Sequence, residues 1–146
     1  MASDGTRPDP IDAPAVDWSA LRAAAAAVSQ RSYSPYSHVR VGAAGLTDTG
    51  VIVAGTNVEN ASYGVSFCAE VSMTGQLISQ GHRRLVAVST CDGRGTYMSP
   101  CGRCRQVLYE FGGPDLLVDG PQGPRRMAEL LPDAFGPDDV PVHAHR

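Results

Sequence analysis

Apolar residues recur at Trp18, Leu21, Ala25 and Val28, a three- and four-residue spacing that keeps one side of a helix against a core. Asp17 stands before them as an N-cap, and the alanine run between them favours helix while keeping that side thin. Tyr33-Ser34-Pro35-Tyr36 ends the element. The pattern then changes period: residues 39–46 and 51–55 read as two strands joined by the turn residues Thr47-Asp48-Thr49-Gly50, a hairpin. A polar, glycine-containing loop from Thr56 to about Phe67 leads to a second helix, opening at Cys68 and ending near Gly81. Leu85 to Cys91 is a short apolar strand. A glycine-rich loop reaches Pro100, and a third helix runs from Cys101 to Phe111 until Gly112-Gly113-Pro114 stops it. Leu116-Leu117-Val118 is a further strand, and Met127 to Leu131 a short helix before Pro132. This alternation predicts an α/β sandwich with helices covering a sheet. The proline-punctuated residues 1–15 carry little apolar surface and are expected to form a disordered leader, with the domain at 16–136 and a polar tail at 137–146.

A chain of 146 residues has room for one well-formed core and too little for two. A net charge of -3, with no lysine anywhere, offers no general attraction to phosphate backbones, so no nucleic-acid partner is expected. No apolar run approaches the roughly 20 residues that span a bilayer, and the N-terminus lacks the apolar stretch of a secretory signal; no membrane partner is expected either. The expected compartment is cytoplasmic, where thiols stay reduced, which makes the four cysteines ligands or buried small residues rather than disulfides. Asn60-Ala61-Ser62 matches a glycosylation acceptor, and in that compartment the match is accidental.

Chemistry concentrates in Cys68-Ala69-Glu70 and Ser99-Pro100-Cys101-Gly102-Arg103-Cys104-Arg105-Gln106. Two cysteines with two residues between them can grip one tetrahedral metal, and Cys68 can supply a third ligand. Three ligands leave one coordination position open, which on zinc is where a water is activated. Both segments open helices, whose unpaired N–H groups and positive dipole end favour thiolates. Three thiolates on a divalent cation leave net negative charge, for which Arg103 and Arg105 are candidate neighbours. Glu70, two residues from Cys68, is placed to handle the water's protons. Two other readings stand beside this one. Cys101 and Cys104 could form a redox pair, or Cys91 could complete a structural four-cysteine site, although a cysteine ending an apolar strand usually behaves as a small buried hydrophobe.

A cysteine before x-Glu followed by a later Pro-Cys-x-x-Cys is the signature of zinc nucleobase deaminases. The sequence resembles the small cytidine deaminase family, in the form that binds zinc through three cysteines. The segments that carry the resemblance are Tyr36-Ser37, Val41-Gly42-Ala43-Ala44, the run Asn57-Val58-Glu59-Asn60-Ala61-Ser62-Tyr63-Gly64, and the two cysteine segments. It covers about Trp18 to Phe135. It implies a three-layer α/β/α fold on a mixed, roughly five-stranded sheet, one Zn²⁺ held by Cys68, Cys101 and Cys104, and a homotetramer with active sites built from several chains. Glu70 would take a proton from the attacking water, protonate N3 of cytosine and later protonate the departing ammonia.

By the same resemblance, Asn57 and Glu59 would hydrogen-bond the ribose 3′-hydroxyl, which leaves 2′-deoxycytidine acceptable and, through the carboxylate, disfavours nucleotides such as CMP. Ala61, Tyr63, Ser99 and Cys101 would surround the nucleoside. Many relatives carry phenylalanine where this chain has Val39, against the base, so ring stacking is lost there. Phe135 matches a phenylalanine contributed to a neighbouring subunit's pocket; without that role it would be a core residue near the end of the chain. Val71 stands where many relatives have an arginine that softens thiolate charge, which either shifts that task to Arg103 or Arg105 or leaves the thiolates more electron-rich. The activity implied is deamination of cytidine and 2′-deoxycytidine in pyrimidine salvage. Deaminases of aminoacyl-nucleoside antibiotics such as blasticidin S share the cysteine motifs, but the run Asn57 to Gly64 favours cytidine. A polynucleotide deaminase is disfavoured by charge, and a noncatalytic zinc module would need no Glu70.

Overall fold

A computed structural model describes residues 14–141. In chain order it contains α1 (Trp18–Ser29), β1 (Val41–Thr47), β2 (Ile52–Thr56), a 3₁₀ turn (Tyr63–Val65), α2 (Ala69–Ser79), β3 (Leu85–Asp92), α3 (Gly102–Gly112), β4 (Leu117–Val118), β5 (Arg125–Arg126), α4 (Met127–Leu130) and a second 3₁₀ turn (Pro137–Asp139). The five strands form one sheet in the order β2-β1-β3-β4-β5. Only the β3–β4 pairing is parallel, so the sheet is mixed.

Asp17 caps α1 as the sequence predicts, its Oδ1 accepting from the Ala20 N–H at 3.0 Å. Leu21 and Ala25 of α1 pack on Ala44, Leu46, Ala87 and Cys91 on one face of the sheet. On the other face Met73 and Leu77 of α2 and Leu108 of α3 meet Ala43, Val53, Val88 and Val118. The three layers follow from β1, which is covered on both sides and therefore runs through small residues rather than alternating apolar with polar. A Cβ on Gly42 would lie 2.0 Å from the Ala25 carbonyl oxygen, and one on Gly55 would lie 2.2 Å from the Met73 nitrogen. Each helix thus crosses the sheet where a side chain is missing.

A half-buried ionic tie joins α1 to the sheet. Arg22 of α1 donates through Nε and Nη2 to the two oxygens of Asp119, each at 2.8 Å, and Ser89 donates to the same carboxylate. Burial opposes the Asp119 charge, but Arg22 and Ser89 outweigh it and hold the carboxyl below its ordinary value.

Besides shifts of a residue at several element ends, the structure departs from the sequence pattern at β1, β5 and the tail. β1 begins at Val41 rather than Val39: His38 adopts a left-handed φ of 61°, and the Asn57 side chain binds the Val39 carbonyl and the Val41 N–H, taking the place of ladder partners. β5 is a pair of arginines with no apolar alternation to announce it. The start of the expected tail forms a turn, with the Gly136 N–H bound to Asp139 at 2.8 Å. The expected leader falls almost wholly outside the described residues, as do residues 142–146.

Candidate active site

Cys68 and Cys101 are the N-cap residues of α2 and α3, and Cys104 lies one turn into α3. Their extended backbone at the caps turns the two helix starts toward each other across the end of β3. The three Sγ atoms lie within 4.8 Å of one another, and those of Cys68 and Cys101 are 3.9 Å apart. A tetrahedral zinc with Zn–S bonds of about 2.3 Å needs sulfurs about 3.8 Å apart, so the donor set fits that ion and leaves one position open. Burial acts unequally on the three thiols. Burial, with the charges of Glu70 and Cys68, pushes the Cys104 thiol far up, and burial also raises Cys68. Burial works against Cys101 as well, but the Cys104 N–H and the neighbouring thiols hold it below its ordinary value. Zinc binds the thiolate form, so an ion in the site would displace the protons that burial keeps on Cys68 and Cys104.

Among the described residues the arginines make no hydrogen bond to the three thiols. Arg105 donates Nε to the Pro100 carbonyl, Nη1 to the Leu130 carbonyl and Nη2 to Ser99 Oγ, each at 2.9 Å. It braces the Ser99–Pro100 turn against α4, contrary to the expectation that it tempers the thiolates; Arg103 is exposed on α3. The charge of the cluster falls instead to the two helix N-termini.

Glu70 sits in the first turn of α2, only 3% exposed, and its Oε1 accepts a hydrogen bond from Thr90 Oγ1 at 3.2 Å. Thr90, on β3, was not singled out in the sequence; its one signal was a place in the hydroxyl pair Ser89-Thr90 within a largely apolar strand. Cys68, Cys101, Glu70 and Thr90 border a cleft of about 260 Å³, whose walls include Asn57, Glu59 and Ser99. Val41, Phe67 and Met98 give the cleft apolar surface in place of the ring missing at Val39. Phe67 was also missed, although an aromatic next to a ligand cysteine is a readable sign.

Asn57 and Glu59 do structural work at the rim. Asn57 Oδ1 accepts from Ser32 Oγ and the Val41 N–H, and its Nδ2 donates to the Val39 carbonyl. Glu59 Oε1 accepts from the Tyr36 and Ser37 N–H groups, and Oε2 from Ser37 Oγ at 2.5 Å. Chiefly through the Ser37 hydroxyl, and then the backbone N–H groups, the Glu59 carboxyl is held below its ordinary value. Val39, Ala61, Tyr63 and Phe135 are exposed and do not line the cleft of this chain. The Tyr63 ring meets Tyr36 edge-on, 5.9 Å between centroids.

Residues 17–118 match the family model of the cytidine and deoxycytidylate deaminase zinc-binding region. Cytidine deaminase of Mycobacterium tuberculosis is 53% identical over 128 residues, spanning 88% of this chain and 96% of that protein. A crystal structure of cytidine deaminase from the same organism superposes with a TM-score of 0.82 at 52% identity, covering 84% of this chain and 99% of that one. The Mycobacterium leprae cytidine deaminase structure gives a TM-score of 0.80 at 51% identity, covering 82% and 100%. These likenesses do not favour the antibiotic-deaminase alternative. With its three-thiol cluster, buried glutamate and helix-covered mixed sheet, the chain belongs to the cytidine and deoxycytidylate deaminase family, whose zinc it is built to hold.

Proposed function

We propose that the cleft converts cytidine and 2′-deoxycytidine, with water, to uridine and 2′-deoxyuridine and ammonia. We place the reaction in cytoplasmic pyrimidine salvage and in a homotetramer. The observation that carries this reading is a buried carboxylate, Glu70, between a three-thiol metal site and a nucleoside-sized cleft. Zinc in the site supplies Lewis-acid activation of water. Glu70 accepts the proton lost by the attacking water and delivers it to N3 of the base. Once the C4–O bond has formed, Glu70 takes the remaining hydroxyl proton and passes it to the amine, so that C4=O forms as the C4–N4 bond breaks and ammonia leaves.

Asn57 and Glu59 are proposed to bind the ribose 3′-hydroxyl. Their contacts within the chain leave Asn57 one amide N–H and Glu59 one acceptor site on Oε2. One donor and one acceptor suit a hydroxyl, which needs both, and the carboxylate disfavours nearby phosphate. Ser99 and Ala61 would border the sugar and base. Val39 and Tyr63 are proposed to lie against the nucleoside, and Phe135 to enter the pocket of a neighbouring chain.

Ammonia release from cytidine, 2′-deoxycytidine and CMP, with zinc measured on the same sample, tests this reading. Both nucleosides should turn over, CMP should react little, and each chain should hold one zinc. Glu70→Gln should keep zinc and fold but lower kcat by at least about 100-fold. Near-normal turnover in that variant, or equal rates on CMP, would overturn the assignment.

A further inference from the structure

We propose that Thr90 is a positioning residue for Glu70, fixing which carboxylate oxygen carries the proton. The proposal rests on Glu70 being the proton carrier. Thr90 stands on the same face of β3 as Val88, the face covered by α2, and is 4% exposed. Its backbone is held on two sides: it pairs with Ala43 in β1, and its carbonyl accepts from the Met98 N–H at 3.0 Å. Valine would fill the same volume at such a site without a polar atom to satisfy. The hydroxyl is used instead, donating to Glu70 Oε1 at 3.2 Å. Among the described residues it is the hydrogen-bond partner that Glu70 has.

This contact divides the carboxylate. An ionised carboxylate only accepts, so the Thr90 proton must point at Oε1. Oε2, to which no described residue donates, is then the freer oxygen to take the proton from water and hand it to the base. A carboxylate free to rotate about its terminal bond would offer either oxygen in many directions, and a misaligned proton carrier loses rate even when its chemistry is intact. Because Thr90 is anchored in the sheet and Glu70 in α2, the bond also sets the position of the first turn of α2 against β3, beside Cys68.

The test uses Thr90→Val and Thr90→Ser in the zinc-loaded enzyme, each also combined with Glu70→Gln. Binding is measured to two ligands: uridine, and a reduced pyrimidine nucleoside bearing a hydroxyl on a tetrahedral C4, which mimics the transition state. Thr90→Val should lower kcat by about 10- to 100-fold, with KM within about twofold of the parent. Its affinity for the tetrahedral analogue should fall in proportion while uridine binding stays unchanged. Thr90→Ser should recover most of the loss. In the Glu70→Gln background Thr90→Val should weaken analogue binding little further, because the two residues act as a unit. A parental kcat in Thr90→Val, a serine variant as impaired as the valine one, or losses that add across the two sites would each overturn the proposal. If Glu70→Gln itself stays active, the assignment of Glu70 falls first. An inactive Glu70→Gln beside a normal Thr90→Val refutes this proposal alone.

Discussion

Glu59 spends three hydrogen bonds on Tyr36 and Ser37 before any ligand arrives, so a residue proposed to bind sugar also holds the rim in shape. Its carboxyl lies below the ordinary value, so its hold on the rim is complete above the unfolded pKa of about 4.3 and is lost only as pH falls through the lower folded value. Glu59→Gln turns one acceptor oxygen into a donor facing donors. It should raise KM for cytidine about tenfold, the scale of one charge-assisted hydrogen bond. The ratio of variant to parent KM should stay constant from pH 8 to about pH 5, since Glu59 remains ionised throughout. Steady-state kinetics across that range check it, and a ratio shrinking toward one as pH falls would show Glu59 titrating there. The ligand cysteines and Glu70 were legible because their spacing is local: each lies within a turn of a helix start. Thr90 was not, because its partner is 20 residues away and meets it only through the packing of α2 on β3. Arg105 was misread for the converse reason. Its sequence neighbours are the ligands, but its donors reach Pro100, Ser99 and, across the fold, Leu130.

The helices were readable as elements, and their distances from the sheet were not. Periodicity places α2 and marks its apolar side, yet nothing local says that Gly55 lets it approach until a Cβ there would meet Met73 N at 2.2 Å and the Ser72 carbonyl carbon at 2.7 Å. Those are backbone atoms and cannot turn aside as a flexible side chain would. Gly55→Ala must push α2 outward, and α2 carries Cys68 and Glu70 at its start. The expected cost is about 1–3 kcal/mol, the usual range for overpacking. A fall in Tm of several degrees and faster zinc loss on dialysis should accompany it. Gly75 is the control: in the same helix, a Cβ there meets nothing within 4 Å. Gly75→Ala should leave zinc retention unchanged and raise stability by about 0.5–1 kcal/mol, the helical advantage of alanine over glycine. Equal Tm values for the two variants would refute the close-approach argument. The same limit of local pattern explains β1 and β5. Asn57 holds the entry to β1 through side-chain hydrogen bonds, and β5 exists only because Arg125 and Arg126 lie alongside β4.

At the scale of the molecule, aromatic rings stand outside the core: Tyr33 is 55% exposed, Tyr63 76% and Phe135 62%. Phe135 in particular is no core residue at the chain's end, although its carbonyl is held by Gln106 at 2.8 Å. Exposed rings of this size fit the proposed homotetramer, in which Phe135 of one chain would close the pocket of another. Light scattering at assay concentration should then report four copies. Intersubunit complementation asks the sharper question. Glu70→Gln should be inactive alone, and Phe135→Ala should be impaired through KM with its zinc and Tm retained. When the two are co-expressed, a site drawing its thiols and Glu70 from the Phe135→Ala chain and its phenylalanine from the Glu70→Gln chain is whole again. Random mixing would restore about a quarter of the sites. Co-expressed enzyme should therefore show parental KM in a fraction of its activity, which neither parent variant shows. If the mixture behaves as the average of the two variants, or if the wild-type chain is fully active as a monomer, Phe135 does not act across an interface and each cleft works with the residues of its own chain.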